Sequence, residues 1–273
     1  MIDMTFVPQP PLSNFIACLW FQEDYLPPHS RERVLPDGSV EIVINLREDR
    51  LAIAGANGKS SFEQGCGSLV YGPRTEMFLI DTTAATSILG VHFKSGGAFP
   101  FFGIPADEIH NCIFPLNLFW GSQTEDLRDR LMNTQSVIEK FYLFEAFLKT
   151  QLIRHPSRHP AVDYALCRLQ SPLSTGKIAD IVEQCGVSSR RLSQVFREQV
   201  GMTPKAFYRL QRFQIALQII NRGEDINWVD IALSCGYFDQ SHFVHDFKVF
   251  SGLTPVEYQL QTGKRPGHVP ITA

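Results

Sequence analysis

The stretch Ile231-Ala232-Leu233-Ser234-Cys235-Gly236 decides the fold, because the chain has already written it once, fifty residues earlier, as Ile181-Val182-Glu183-Gln184-Cys185-Gly186. The correspondence runs on. With one inserted residue, Leu192 and Phe196 fall on Phe243 and Phe247, Gly201-Met202-Thr203-Pro204 on Gly252-Leu253-Thr254-Pro255, and Phe207 on Tyr258. A repeat of this period marks a supersecondary unit used twice, and two copies offer two equivalent contacts to one partner. Each copy reads as a helix-turn-helix.

In the first copy a short apolar-periodic helix (Ile178, Ile181, Val182) runs into Cys185-Gly186, where glycine permits the left-handed backbone of a tight turn. Ser188 is placed to cap a second helix. On it Leu192, Val195, Phe196 and Val200 share one face, while Arg190, Gln194 and Arg197 share the opposite one. In the second copy Phe243, Phe247 and Phe250 take the inner face, and Ser241, His245 and Lys248 match the three polar positions one for one. Arginine and glutamine hydrogen-bond base edges in a bidentate way, and a helix of this size fits a major groove. The plainer reading of those faces is solvation. Thr254-Pro255-Val256-Glu257 has the form of a capping box, and Thr203-Pro204 repeats the cap without the glutamate. Phe207, Leu210, Gln214, Leu217 and Ile220 then trace a long amphipathic helix, ending near Gly223, that joins the two units.

With these residues in place, the C-terminal part, from about 160 to 262, resembles the DNA-binding domain of the AraC family of bacterial transcription regulators. The second unit carries the signature most fully, from Ile231-Ala232 through Cys235-Gly236-Tyr237, Gln240-Ser241-His242-Phe243, Phe247-Lys248 and Gly252 to Thr254-Pro255 and Tyr258. The resemblance implies that Arg190, Arg191, Gln194, Ser241, His242 and His245 face base edges, and that Arg197, Lys205, Arg209, Arg212 and Lys248 lie near phosphates. It implies double-stranded DNA as partner, read in two adjacent major grooves, with RNA polymerase as a second partner and activation as the usual outcome. Val182 and His245 depart from the family, which usually has alanine and a basic residue there. His242 has an alternative use in bracing the turn.

Charge is distributed accordingly. From residue 158 onward there are 13 Lys+Arg against 10 Asp+Glu, and before it 12 against 18, within a net charge of −3. The basic excess is small for a DNA binder, so the placement of arginines matters more than bulk charge.

A length of 273 residues with 44% apolar content suits two ordinary cores. Cys18, Cys66, Cys112, Cys167, Cys185 and Cys235 are scattered singly, which suggests small buried hydrophobes in a reducing compartment. No cofactor or metal is expected. The chain lacks a secretory pattern at its N-terminus and any apolar stretch near the roughly 20 residues that span a bilayer, so a cytoplasmic protein is expected.

The first 120 residues alternate in short segments that read as strands: Phe15 to Phe21, Val40 to Asn45, Leu51 to Ala54, Ser68 to Tyr71, Met77 to Ile80 and Ser87 to Phe93. Asn57-Gly58 suggests a hairpin turn. From 123 to 153 the period becomes helical. The expected fold class is α+β: a β-rich domain, a cupin-like barrel or sandwich, with following helices (1–154), a linker (155–160), an all-α domain of two helix-turn-helix units joined by a long helix (161–262), and a flexible tail (263–273). Leu35–Asn45 and Gly90–Gly103 resemble an N-terminal domain found in one branch of the same family, which implies sensing of a small-molecule effector or formation of a homodimer.

The opposing class is a β-domain enzyme or ligand carrier that uses the helical repeat for protein docking. Gly55-Ala56-Asn57-Gly58-Lys59-Ser60 has the tail of a phosphate-binding loop, but Ile53 stands where its first glycine is required. His92 stands alone on its strand, whereas a metal cupin needs several converging histidines. Phe99, Phe101, Phe102, Phe114, Phe119 and Trp120 fit a core between sheet and helices better than a pocket.

Overall fold

Period-2 alternation in the N-terminal half places one set of side chains toward helices and the next set toward a second sheet. In Glu41–Asn45, Ile42 and Ile44 are fully buried on one side and Val43 on the other. The computed structural model describes residues 1–54, 60–64, 67–83, 86–152, 158–171, 178–223, 226–261, 265 and 267–271. Outside these lie the Asn57-Gly58 turn, residues 55–59 of the glycine-containing stretch, Cys66 and residues 155–157 of the expected linker.

The strands are β1 (Ile2–Phe6), β2 (Ile16–Glu23), β3 (Arg31–Val34), β4 (Glu41–Asn45), β5 (Arg50–Ala54), β6 (Ser60–Gln64), β7 (Ser68–Tyr71), β8 (Phe78–Asp81), β9 (Ser87–Phe93), β10 (Ile113–Pro115) and β11 (His268–Pro270). They form two antiparallel sheets, ordered β1-β2-β9-β4-β7-β10 and β11-β3-β8-β5-β6. Between the sheets sit Val43, Leu51, Leu69, Tyr71 and Phe78. The sandwich is thus the form taken by the β-rich domain.

The helices are α1 (Phe99–Phe102), α2 (Asn117–Trp120), α3 (Gln123–Asn133), α4 (Val137–Gln151), α5 (Pro160–Leu169), α6 (Ile178–Gln184), α7 (Ser189–Val200), α8 (Pro204–Asn221), α9 (Trp228–Ser234), α10 (Gln240–Ser251) and α11 (Pro255–Gln261). Phe141, Phe144 and Leu148 of α4 cover the outer face of the first sheet together with Phe101 and Trp120. Of the aromatic cluster expected to be core, Phe101 and Trp120 are buried and Phe102, Phe114 and Phe119 pack half-buried against them, with Phe102 stacked on Trp120 at 5.7 Å and Phe119 edge-on to Phe102 at 4.9 Å, while Phe99 stands outside this core. A third core, built from α5 to α11, takes in Leu35 and Val269 from outside the helical region.

The chain end departs from the expectation of a free tail. Strand β11 pairs with β3 in the register His268↔Val34 to Pro270↔Glu32, and Val269 is fully buried. The buried carboxylate of Glu32 explains this docking, since it accepts a hydrogen bond from Tyr25, lies 2.6 Å from His29 Nε2 and 2.9 Å from His268 Nδ1, and has Arg265 Nη1 at 3.8 Å. Strand β3, Arg-Glu-Arg-Val, hides from pattern reading because its buried residue is the charged one.

The two stretches singled out in the N-terminal half meet. Strands β4 and β9 pair, His92 Nε2 lies 3.1 Å from Asp37 Oδ2, and Pro36 O accepts a 2.6 Å hydrogen bond from Gln214 Nε2 of α8. Their common use is to seat the helical domain on the sheets. The described end of the linker is anchored in the same way, with Arg158 Nη1 donating to Ser95 O and His159 N donating to Gln199 Oε1 at 2.9 Å.

Candidate nucleic-acid interface

Each helix-turn-helix is closed by glycines where the repeat places them. Gly186 and Gly236 turn the chain between the paired helices at φ +65° and +76°, and Gly201 and Gly252 end the second helices at φ +87° and +72°. Only glycine enters this left-handed region without strain. The starts of the helices are equally specified. Ser188 accepts from Arg191 N, Thr203 from Ala206 N and Asp239 from His242 N, and Thr254 exchanges hydrogen bonds with Glu257 in both directions. The capping box read from the sequence is therefore formed.

On α7 the apolar face is buried (Leu192, Val195, Phe196 and Val200), while Arg190, Arg191, Gln194 and Arg197 are exposed. On α10 Phe243, Phe247 and Phe250 are buried, while Ser241, His242, His245 and Lys248 are exposed. Lys205 is exposed at the start of α8. Side chains on the α7 face touch one another: Arg191 Nη1 donates to Gln194 Oε1 at 3.3 Å, and Gln194 Nε2 donates to Glu198 Oε1 at 2.9 Å. One Nε2–H and one Oε1 lone pair of Gln194 remain for a base edge. His242 lies edge-on to Tyr237 at 5.3 Å, with Nε2 3.8 Å from Asp246. That position serves the bracing alternative as well as the base-facing one.

Arg209 and Arg212 sit differently from the phosphate contacts expected of them. Asp246, 1% exposed, accepts from Arg209 Nη2 at 2.6 Å and Arg209 Nε at 3.2 Å, and from Arg212 Nη2 at 3.3 Å. Arg212 is itself buried, donates to Gly236 O and lies over the Tyr237 ring at 4.2 Å. Burial of a carboxylate is tolerated only when cations and donors answer it, so this cluster ties α8 to α10. Sequence reasoning passed over Asp246, although an acid at the core spacing of Phe243, Phe247 and Phe250 requires a buried cation. In the first unit the equivalent position is Val195, and there packing alone, with Phe196 edge-on to Phe207 at 5.6 Å, holds α7 to α8.

Helix α8 thus joins both units. Its 18 residues span about 27 Å at 1.5 Å per residue. Residues 181–261 match a helix-turn-helix domain family, and residues 4–115 match a domain of unknown function, DUF6597. The C-terminal domain is an AraC-type helix-turn-helix domain. It is similar to the HTH-type transcriptional regulator ArgR of Pseudomonas aeruginosa (32% identical over 103 residues, 38% of this chain and 30% of ArgR). It is also similar to the HTH-type transcriptional activator RhaR of Klebsiella pneumoniae (32% over 103 residues, 37% of this chain and 36% of RhaR). The chain thus spans about a third of the length of these curated relatives. A crystal structure of ToxT from Vibrio cholerae bound to an unsaturated fatty acid aligns over 89% of this chain and 95% of its own, with a TM-score of 0.50 at 12% identity. At that identity the likeness is one of two-domain fold.

Among the described residues no helix is long and apolar enough to cross a membrane, and no group of three or more His, Cys, Asp or Glu is placed to hold a metal ion.

Proposed function

We propose that this chain is a sequence-specific DNA-binding transcription regulator, an activator, whose AraC-type domain inserts α7 and α10 into two successive major grooves on one side of the duplex. The observation that carries this reading is the match of exposed polar positions on the two units, Arg190, Gln194 and Arg197 against Ser241, His245 and Lys248, at either end of one connecting helix. Successive major grooves recur at about 34 Å, and the rod gives the units a set separation. Arg190, Arg191, Gln194, Ser241, His242 and His245 are assigned to base edges, and Arg197, Lys205 and Lys248 to phosphates. Arg209, partly exposed, has one side left for a phosphate, whereas Arg212 serves the Asp246 cluster. RNA polymerase is the partner that activation requires, and the β-rich domain senses an effector or joins two copies.

Binding of the full chain to a labelled promoter fragment, measured against random DNA over a range of salt, tests this. Expected is specific affinity at least about 10³-fold above non-specific. Equal affinity for both DNAs overturns it.

A further inference from the structure

Among the described residues, polar side chains beside the inter-sheet core such as His92 and Trp20 find partners within the protein, and Arg74 Nε does not. His92 is answered by Asp37 at 3.1 Å and Glu41 at 3.9 Å, and Trp20 Nε1 donates to Glu41 at 2.9 Å. Arg74, in the β7–β8 loop, is 9% exposed, and its Nε–H is buried with no hydrogen-bond partner among the described residues. What it touches is a pair of rings: its guanidinium lies 4.4 Å from the Phe78 centroid and 5.6 Å from that of Tyr71. Rings stabilise a cation, but they accept none of its directed N–H donors in the guanidinium plane, and at Arg74 the Nε–H is the donor left buried and unanswered. A buried cation in that state is costly unless an anion answers it.

The loop that carries Arg74 has a second property. Pro73 and Met77 flank the arginine, and each abuts the glycine that ends one of the paired helices α7 and α10. A Cβ on Gly201 would fall 2.2 Å from Pro73 Cγ, and one on Gly252 3.5 Å from Met77 Cε. Gly201 and Gly252 are equivalent positions of the repeat. One six-residue segment, 72–77, therefore touches both units of the DNA-binding domain at the same place. Asn111 clasps it from behind, donating its N–H to Pro73 O at 3.0 Å and accepting from Thr75 N at 2.8 Å.

We propose that Arg74 is the binding group for an oxyanion ligand, a carboxylate or a phosphate, and that its loop transmits occupancy to both helix-turn-helix units through Pro73 and Met77. A bidentate oxyanion supplies what Phe78 and Tyr71 cannot, two acceptors in the guanidinium plane. The transmission half rests on the regulator reading, whereas the binding half stands without it.

The test uses the full chain labelled with ¹⁵N, in which the Arg74 Nε–H resonance is identified by its loss in Arg74→Lys. Acetate and inorganic phosphate are titrated separately against chloride at constant ionic strength. A saturable shift of that resonance with acetate assigns a carboxylate ligand, and one with phosphate assigns a phosphate. A shift that merely drifts linearly with both, or none, overturns the proposal whether or not the variant folds. The affinity of the same sample for its DNA site is then measured with and without the saturating anion. Linkage between two sites is commonly worth about 5- to 150-fold, and a change in that range, reduced in Met77→Ala, is expected. Unchanged affinity removes the transmission half, and a protein that binds the anion but no DNA removes the regulator reading alone.

Discussion

At the scale of single residues, the side chains proposed to meet DNA are distinct from those that hold the helices together. Arg190 stands exposed at the first turn of α7. Arg190→Ala should cost about 1 to 3 kcal/mol of specific binding and relax preference at one base pair, whereas Lys248→Ala should weaken all sequences alike and lower the salt slope by about one. Gel-shift titrations on a specific and a scrambled site at several salt concentrations measure both, and equal losses on the two DNAs from Arg190→Ala would remove it from the base-reading set. Asp246 acts on the fold itself. Its removal leaves Arg212 buried and unpaired, so Asp246→Ala should lower stability by about 3 to 5 kcal/mol. Urea unfolding checks this, and a loss below about 1 kcal/mol would show that Arg212 finds water or another acceptor. The exposed arginines were legible in the sequence because a polar stripe opposite an apolar one needs only helical periodicity. The inward arginine was not, because nothing local distinguishes a guanidinium turned toward phosphate from one turned toward a carboxylate 34 positions later.

At the scale of elements, β7 and β9 could be read to the residue because both have ordinary apolar character with turn residues at each end. Strands β3 and β11 could not, since they depend on Glu32 and its distant partners. Burial alone would push the Glu32 carboxyl up, but hydrogen bonds from His268, Tyr25 and His29 outweigh it and draw the pKa down to about 2 from 4.5. A carboxylate with a lowered folded pKa contributes stability that is complete above its unfolded value and is lost as the pH falls toward the folded one. Strand β11 should therefore be held fully above about pH 4.5 and progressively released between there and about pH 2. Hydrogen exchange at the Leu35 and Ile271 amides, which bond across this edge to Gly267 and Arg31, reports it. At neutral pH, Glu32→Gln should reduce their protection by about 10-fold or more, corresponding to at least about 1.4 kcal/mol from charged hydrogen bonds lost. Protection that is unchanged would mean that the backbone pairing and Val269 suffice.

At the scale of the whole molecule, the two domains share a core: Leu35 of the sheet domain and Val269 of the chain end pack with the helices, and Gln214 of the connecting rod bonds to Pro36. This continuity lay outside the reach of sequence reading, which divides a chain where its periodicity changes and has no view of contacts across the division. It sets loops of the sheet domain against both helix-turn-helix units, through Pro73 beside Gly201 and Met77 beside Gly252, while the polar positions of α7 and α10 stay exposed. On the proposed function, both faces engage one duplex together. The most direct test is hydroxyl-radical and methylation footprinting of the full chain on a site selected from random DNA. Two protected major-groove patches about 10 base pairs apart on one face of the helix are expected, with protection in the patch assigned to α7 weakened in Arg190→Ala. Five base pairs inserted between the patches should abolish joint protection. A single protected groove, or binding indifferent to that insertion, would contradict it.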